Sequence, residues 1–156
     1  MIYQGKAKYS VTGLIIHCTA TPSDWRPGAS SEDRVAAIRQ MHITERGWSD
    51  IGYHWLIDRD GTVLPGRRET VIGAHVAGHN AGTIGISLFG GLTSKPRDPF
   101  LKNYTNRQEV ALIDLIDDIC SRAAITSIRG HNQLDNGKAC PGFWVPDWLA
   151  AEGIKV

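Results

Sequence analysis

The sequence predicts one α/β (or α+β) domain, spanning residues 1–156, in which helices pack on a sheet. Three observations predict it. Short β-branched, apolar runs alternate with longer segments whose apolar residues recur at helical spacing. The pair Asp60-Gly61 lies between two β-rich runs, which signals a hairpin. A length of 156 residues suits one domain with one core, and no linker, repeat or low-complexity segment divides it.

Val11 to Thr19 reads as the first strand, being short, apolar and β-branched. Alternation puts Leu14, Ile16 and Cys18 on one face and Ile15, His17 and Thr19 on the other. Cys18 therefore reads as core. Thr21 to Ala29 holds Pro22, Pro27 and Gly28 and reads as a loop. Ser30 or Ser31 can cap the helix that follows, with Glu32 and Asp33 in its first turn. Val35, Ile38 and Met41 or His42 fall at helical spacing, so this helix runs to about Arg46 and stops at Gly47. His42 reads as a helix-surface or half-buried residue.

Ile51 to Asp58 reads as a second strand, joined through Arg59-Asp60-Gly61 to Thr62-Val63-Leu64. Tyr53 and Trp55 would share one of its faces. Thr70 to Gly82 is irregular, with Gly73, Gly78 and Gly82. Ile84 to Phe89 is a near-continuous apolar run, the pattern of a buried strand. Thr93 to Asn103 reads as a polar loop with Pro96 and Pro99. Thr105 can cap a long helix to about Ala124, whose buried stripe is Leu112, Ile116, Ile119 or Cys120, and Ala123. Thr126 to Arg129 is a short strand, Gly130 to Gly142 an irregular segment punctuated by Gly and Pro, and Trp144 to Ala150 a closing helix.

Composition narrows the function. The formal charge is +1, from 17 basic and 16 acidic residues, and no charge block stands out, so no nucleic acid or anionic membrane is expected as a partner. Apolar residues at 42% and charged residues at 21% fit an ordinary globular protein. The three cysteines, Cys18, Cys120 and Cys140, are too few and odd in number for a disulfide framework. No apolar run reaches the roughly 18–20 residues of a membrane span, and Leu14-Ile15-Ile16 is too short for the core of a signal peptide. The expected compartment is the cytoplasm, and the expected oligomeric state a monomer.

The chemistry gathers in the segment from Gly130 to Gly142. Its His131 and Cys140 carry the side chains that hold zinc, and a catalytic zinc takes three protein ligands and one water. His17, at the end of the first strand, can meet His131, just after the last strand, if those two strands are neighbours. Two imidazoles and a thiolate with an open position make a hydrolytic zinc centre, which lowers the pKa of its water to about 7. Lys138, two residues before Cys140, would face an oxyanion as it develops. Tyr53 can donate a hydrogen bond or position water. His75, His79 and Asn80, in the Gly-bearing loop, read as the wall of a groove, to which Trp25 can add. Taken singly, each has an ordinary explanation as a core histidine, a solvated loop residue or a buried thiol. Three other readings stand beside this one: a cysteine hydrolase with Cys140 as nucleophile, a closed structural zinc site, and a binding module without catalysis.

Four segments in order carry a family likeness: Ile15-Ile16-His17-Cys18-Thr19-Ala20-Thr21; Ile51-Gly52-Tyr53-His54-Trp55-Leu56-Ile57 with Arg59-Asp60-Gly61-Thr62-Val63; Gly73-Ala74-His75-Val76-Ala77-Gly78-His79-Asn80 with Ile84-Gly85-Ile86; and Lys138-Ala139-Cys140-Pro141-Gly142. Together they resemble the zinc N-acetylmuramoyl-L-alanine amidases of the phage lysozyme and peptidoglycan recognition protein family, from about Ile15 to Trp148. The loop from His131 to Cys140 and the stretch Thr93 to Asn103 depart from the phage pattern. The resemblance implies a central mixed sheet flanked by helices, with zinc at one edge. It implies one zinc held by His17, His131 and Cys140, with Tyr53 and Lys138 as the catalytic pair. It implies peptidoglycan as partner, cut between N-acetylmuramic acid and L-alanine. The expected role is a phage endolysin that waits in the host cytoplasm and reaches the periplasmic wall after the membrane is permeabilised. A bacterial wall-recycling amidase is the alternative.

Overall fold

The computed structural model describes residues 1–156. At its centre is a mixed five-stranded sheet. Its strands, in chain order, are β3 (Gly13–Cys18), β4 (Trp55–Ile57), β5 (Val63–Pro65), β6 (Thr83–Leu88) and β7 (Ser127–Gly130), arranged β5-β4-β6-β3-β7. β3 runs parallel to both β6 and β7, and β4 parallel to β6, while β4 and β5 form the antiparallel hairpin that Asp60-Gly61 signals. Every residue of β3 is buried. A strand covered on both faces needs a continuous apolar run, which Leu14-Ile15-Ile16 supplies.

Helices cover the two faces. Helix α1 (Ser31–Thr44) sets Val35 and Ile38 against Ile51, Leu56, Leu64 and Phe89. On the other face, α3 (Asn106–Arg122) and α5 (Val145–Glu152) pack Leu112, Ile116, Ile119, Val145 and Trp148 against Leu14, Ile16, Ile84, Ile86 and Ile128. Both long helices start where their capping residues stand. Ser30 Oγ accepts from the Asp33 N–H, and Thr105 forms a reciprocal capping box with Gln108.

The structure departs from the sequence reading in five places. A small ribbon, β1 (Tyr3–Gln4) paired with β2 (Tyr9–Ser10), precedes the sheet; strands of two residues leave no periodicity to read. Only Trp55–Ile57 of the expected strand Ile51–Asp58 is regular. Residues 52–54 instead trade backbone hydrogen bonds with Gly66, Arg67, Ala74 and Gly85 around a tight crossing, so Tyr53 stands on irregular backbone. Phe100–Asn103 is a short helix, α2, inside the expected polar loop; Pro99 opens it and Phe100 anchors it in the core. A single helical turn, α4 (His131–Leu134), opens the expected irregular segment, because Gln133 turns back to accept from the Gly130 N–H. Cys120 is half-buried at the core margin rather than inside it.

A buried ion pair helps hold α1 in place. Asp58, fully buried at the end of β4, accepts from Arg34 at 2.8 Å, Ser31 Oγ at 2.6 Å and the Arg59 N–H at 2.7 Å. Arg34 also donates to the carbonyls of Trp25 and Arg26, which ties down the preceding loop. Removing one partner of a buried pair leaves the other charge uncompensated. Asp58→Ala should therefore cost about 3 kcal/mol, seen as a lower urea midpoint at an unchanged slope. A loss under about 1 kcal/mol, the worth of an exposed pair, would show that the clamp does not hold the helix.

Candidate metal centre

The parallel register decides what meets at the sheet edge. Ile16 of β3 pairs with Gly130 of β7, so His17 and His131 each follow one step later and emerge side by side. Their ring centroids are 4.8 Å apart. In open sheets of this kind the crevice beyond the carboxyl ends of the strands is the usual ligand site. The loop after α4 returns to the same place. The Asn132 N–H donates to the Cys140 carbonyl at 2.8 Å, and the Cys18 N–H donates to Cys140 Sγ at 3.1 Å. The ligand atoms of His17, His131 and Cys140 consequently all lie within 4.8 Å of one another.

This donor set fits a metal ion. Donors around a tetrahedral zinc sit about 3.3–3.8 Å apart, given bonds of roughly 2.0–2.3 Å; His17 Nδ1 and Cys140 Sγ are 3.8 Å apart. Burial, then repulsion from His75, His131 and His54, holds the His17 imidazole well below its ordinary pKa. His131 is lowered by burial and by the nearby charge of Lys138. Both rings are thus neutral near pH 7, the form that ligates. The Cys140 thiol is pushed well up, first by its pairing with the Cys18 thiol and then by burial, which together outweigh the Cys18 N–H donated to it. That direction gives no sign of a thiol activated by a lowered pKa, and a coordinated cation would deprotonate it outright.

A cavity of about 270 Å³ opens over these groups. Tyr53 and Lys138 line it together with the three candidate ligands. Tyr53 is half-buried, its ring 5.3 Å from that of His17, and its hydroxyl points to the Cys18 carbonyl at 3.4 Å. Burial, then the two cysteines, drives its phenol pKa up, so it stays a proton donor. Lys138 is exposed on the rim. The opposite wall comes from the end of α1 and the turn after it: Met41, His42, Glu45, Arg46 and Trp48. Arg46 lies over the Trp48 ring at 5.3 Å, and His42 Nδ1 accepts from the Gly52 N–H at 3.0 Å. Burial, aided by Arg46 and Arg67, lowers the His42 pKa to about 4. The sequence reading missed this wall. Its one available signal was Gly47-Trp48, an aromatic residue placed directly after the helix stop.

The remaining expected groove residues are dispersed. His75 reaches the cavity, but its ring is buried beneath it and hydrogen-bonds His17 at 2.9 Å. Asn80 is turned inward, its Oδ1 accepting from the N–H groups of His75 and Val76. His79 is exposed beside Gly78 and Ala81 on a separate groove. Trp25 stacks on Phe89, in a depression shared with Arg34 and Asp58. The structure thus places Trp25, His79 and Asn80 outside the cavity, because the Asp58–Arg34 clamp and the Asn80 side chain hold their loops elsewhere.

Comparison with known proteins agrees with this geometry. The endolysin of Escherichia phage T7 is 37% identical over 145 residues, covering 93% of this chain and 89% of the relative. Peptidoglycan-recognition protein SC2 of Drosophila melanogaster is 32% identical, covering 88% of this chain and 76% of the relative. Among solved structures, the N-acetylmuramoyl-L-alanine amidase LysC from Clostridium intestinale superposes with a TM-score of 0.72 at 25% identity, covering 99% of both chains. The family profile described as N-acetylmuramoyl-L-alanine amidase matches residues 7–143. With the fold, the sheet-edge cluster and the match over most of its length in agreement, the chain belongs to the N-acetylmuramoyl-L-alanine amidase family.

Proposed function

We infer that this amidase cleaves the bond between N-acetylmuramic acid and L-alanine in peptidoglycan with one zinc ion held by His17, His131 and Cys140. The observation that carries the reading is the meeting of those three donors within 4.8 Å on the floor of a cavity whose rim bears Tyr53 and Lys138. Zinc bound there supplies a Lewis acid and water acidified to a pKa of about 7.

The chain's own groups do the rest. In this reading the Lys138 ammonium faces the carbonyl oxygen as it gains negative charge, a contact that strengthens only toward the transition state. Tyr53 keeps its proton and donates, orienting the carbonyl or the attacking water. Trp48, Met41 and Ile38 give the opposite wall an apolar surface against which the sugar and the lactyl group can pack and exclude water. Arg46 and Lys138 add positive charge at the mouth, complementary to the carboxylates of a stem peptide. Because the phage endolysin relative covers nearly the whole chain, the role that follows is wall lysis. No helix is long and apolar enough to cross a membrane. In this reading the protein waits in the host cytoplasm and meets the periplasmic wall once another agent permeabilises the membrane.

Two outcomes are expected. Purified protein should carry about one zinc per chain by elemental analysis. Stripping it with chelator should abolish the release of new alanine amino termini from peptidoglycan, and zinc should restore it. Activity that survives chelation would return Cys140 to the role of nucleophile. Lys138→Ala should keep its zinc but lose roughly 100- to 1,000-fold in kcat, the cost of one oxyanion-stabilising donor. Turnover within a few-fold of the parent would remove Lys138 from the mechanism.

A further inference from the structure

His75 has both ring nitrogens committed inside the protein. The residue is 7% exposed, and its ring stands at 90° to that of His17, centroids 5.0 Å apart. The surrounding backbone is cut away to admit it. A Cβ on Gly85 of β6 would lie 2.6 Å from His75 Cγ, and one on Gly73 would lie 2.7 Å from His75 Cδ2. Two glycines thus form a slot that fits this ring and leaves no room for their own side chains.

The protons along this chain can be assigned from its far end. Thr83 Oγ1 lies 2.7 Å from the His79 carbonyl and 3.0 Å from the Asn80 carbonyl. Carbonyl oxygens only accept, so the single hydroxyl proton points toward them. The lone pairs of Oγ1 are left for His75 Nε2 at 3.3 Å, and that nitrogen carries the donated proton. A neutral imidazole has one N–H, so His75 Nδ1 is an acceptor. It accepts a hydrogen bond from the N–H at His17 Nε2, 2.9 Å away. His17 Nδ1 then bears the free lone pair, and it is Nδ1 that faces Cys140 Sγ at 3.8 Å.

We propose that Thr83 and His75 are positioning residues, a tautomer relay that fixes the metal-binding lone pair of His17 on Nδ1. The proposal rests on reading His17, His131 and Cys140 as metal ligands. It gives His75 a role other than contact with substrate, and it gives Thr83, at the first position of β6, a role in a site whose cavity it does not line. Outer partners of this kind orient a ligating imidazole and raise its basicity. The opposite tautomer would put a proton on the nitrogen that has to bind.

The test uses the full chain. Thr83→Val keeps the shape and removes the acceptor; Thr83→Ser restores it. Zinc affinity is measured by competition with a chelator, and the nitrogen chemical shifts of His17 and His75 are read by NMR on the metal-free protein. In the parent, His17 should show Nε2–H and a bare Nδ1. Thr83→Val should mix the tautomers of both rings and weaken zinc binding about 10- to 100-fold, and Thr83→Ser should return both readouts to the parent values. A parent His17 protonated on Nδ1, or a Thr83→Val protein with unchanged nitrogen shifts and zinc affinity, overturns the relay. A parent that takes up no zinc overturns the metal reading instead, and the nitrogen shifts still decide the relay.

Discussion

Parallel pairing of β3 with β6 on one side and β7 on the other is the constraint on which the site depends. Parallel strands end at the same edge, so residues far apart in sequence emerge together there. That pairing sets His17 beside His131 across more than a hundred intervening residues. It also sets Ser87 opposite His17 and Gly85 opposite Ile15. A one-residue slip would turn His17 into the apolar face packed by α3 and α5 and send Ile16 or Cys18 to the face of the candidate ligands. The apolar residues of β3, all buried, make such a slip expensive, so packing of the core also fixes the geometry of the candidate ligands.

Placing polar rings at that depth has its own cost. An imidazole buried without partners loses its hydration and gains nothing. The fold answers by giving each ring a partner. His54 Nδ1 accepts from the Gly85 N–H at 3.0 Å, and its Nε2 donates to the Val71 carbonyl at 2.9 Å. His75 is set between His17 and Thr83. Burial first, then nearby positive charge, lowers the pKa of both rings and favours their neutral forms, and neutrality makes their tautomers informative. Glycines at 73 and 85 yield the space. Gly85, in the middle of β6, stands where strand propensity alone favours a β-branched side chain, so local propensity gives way here to the needs of the cluster.

How much of this was legible in the sequence follows from the range of each signal. Capping at Ser30 and Thr105, the buried stripe of α3 and the Asp-Gly hairpin are local, and they stand where the sequence put them. His17 and His131 could be brought together on paper because each sits at a strand end, where topology leaves few choices. The inward turn of Asn80, the burial of His75 and the distance of Trp25 from the cavity were not legible. They depend on which loop polar groups find backbone partners, and a sequence does not print those pairings. The opposite wall escaped for a related reason. Met41, Glu45 and Arg46 look like solvated positions at a helix end, and only the docking of α1 across the sheet edge makes them a surface facing the ligands.

That docking links stability to function. At its first turn α1 is held by Asp58 through Ser31 and Arg34; at its last turn it is held by His42, whose Nδ1 receives the Gly52 N–H. Between them, Val35 and Ile38 supply apolar contact, which is non-directional and tolerates sliding. The two polar contacts do not tolerate it, since a hydrogen bond weakens steeply within a few tenths of an ångström and with misalignment. They therefore set the width of the cavity. The Gly52 N–H that donates to His42 belongs to the same irregular segment that carries Tyr53, so one hydrogen bond registers both the far wall and the phenol against the ligand cluster. A change at His42 would shift the far wall of the cavity and the direction of Tyr53 at once, without touching any candidate metal ligand.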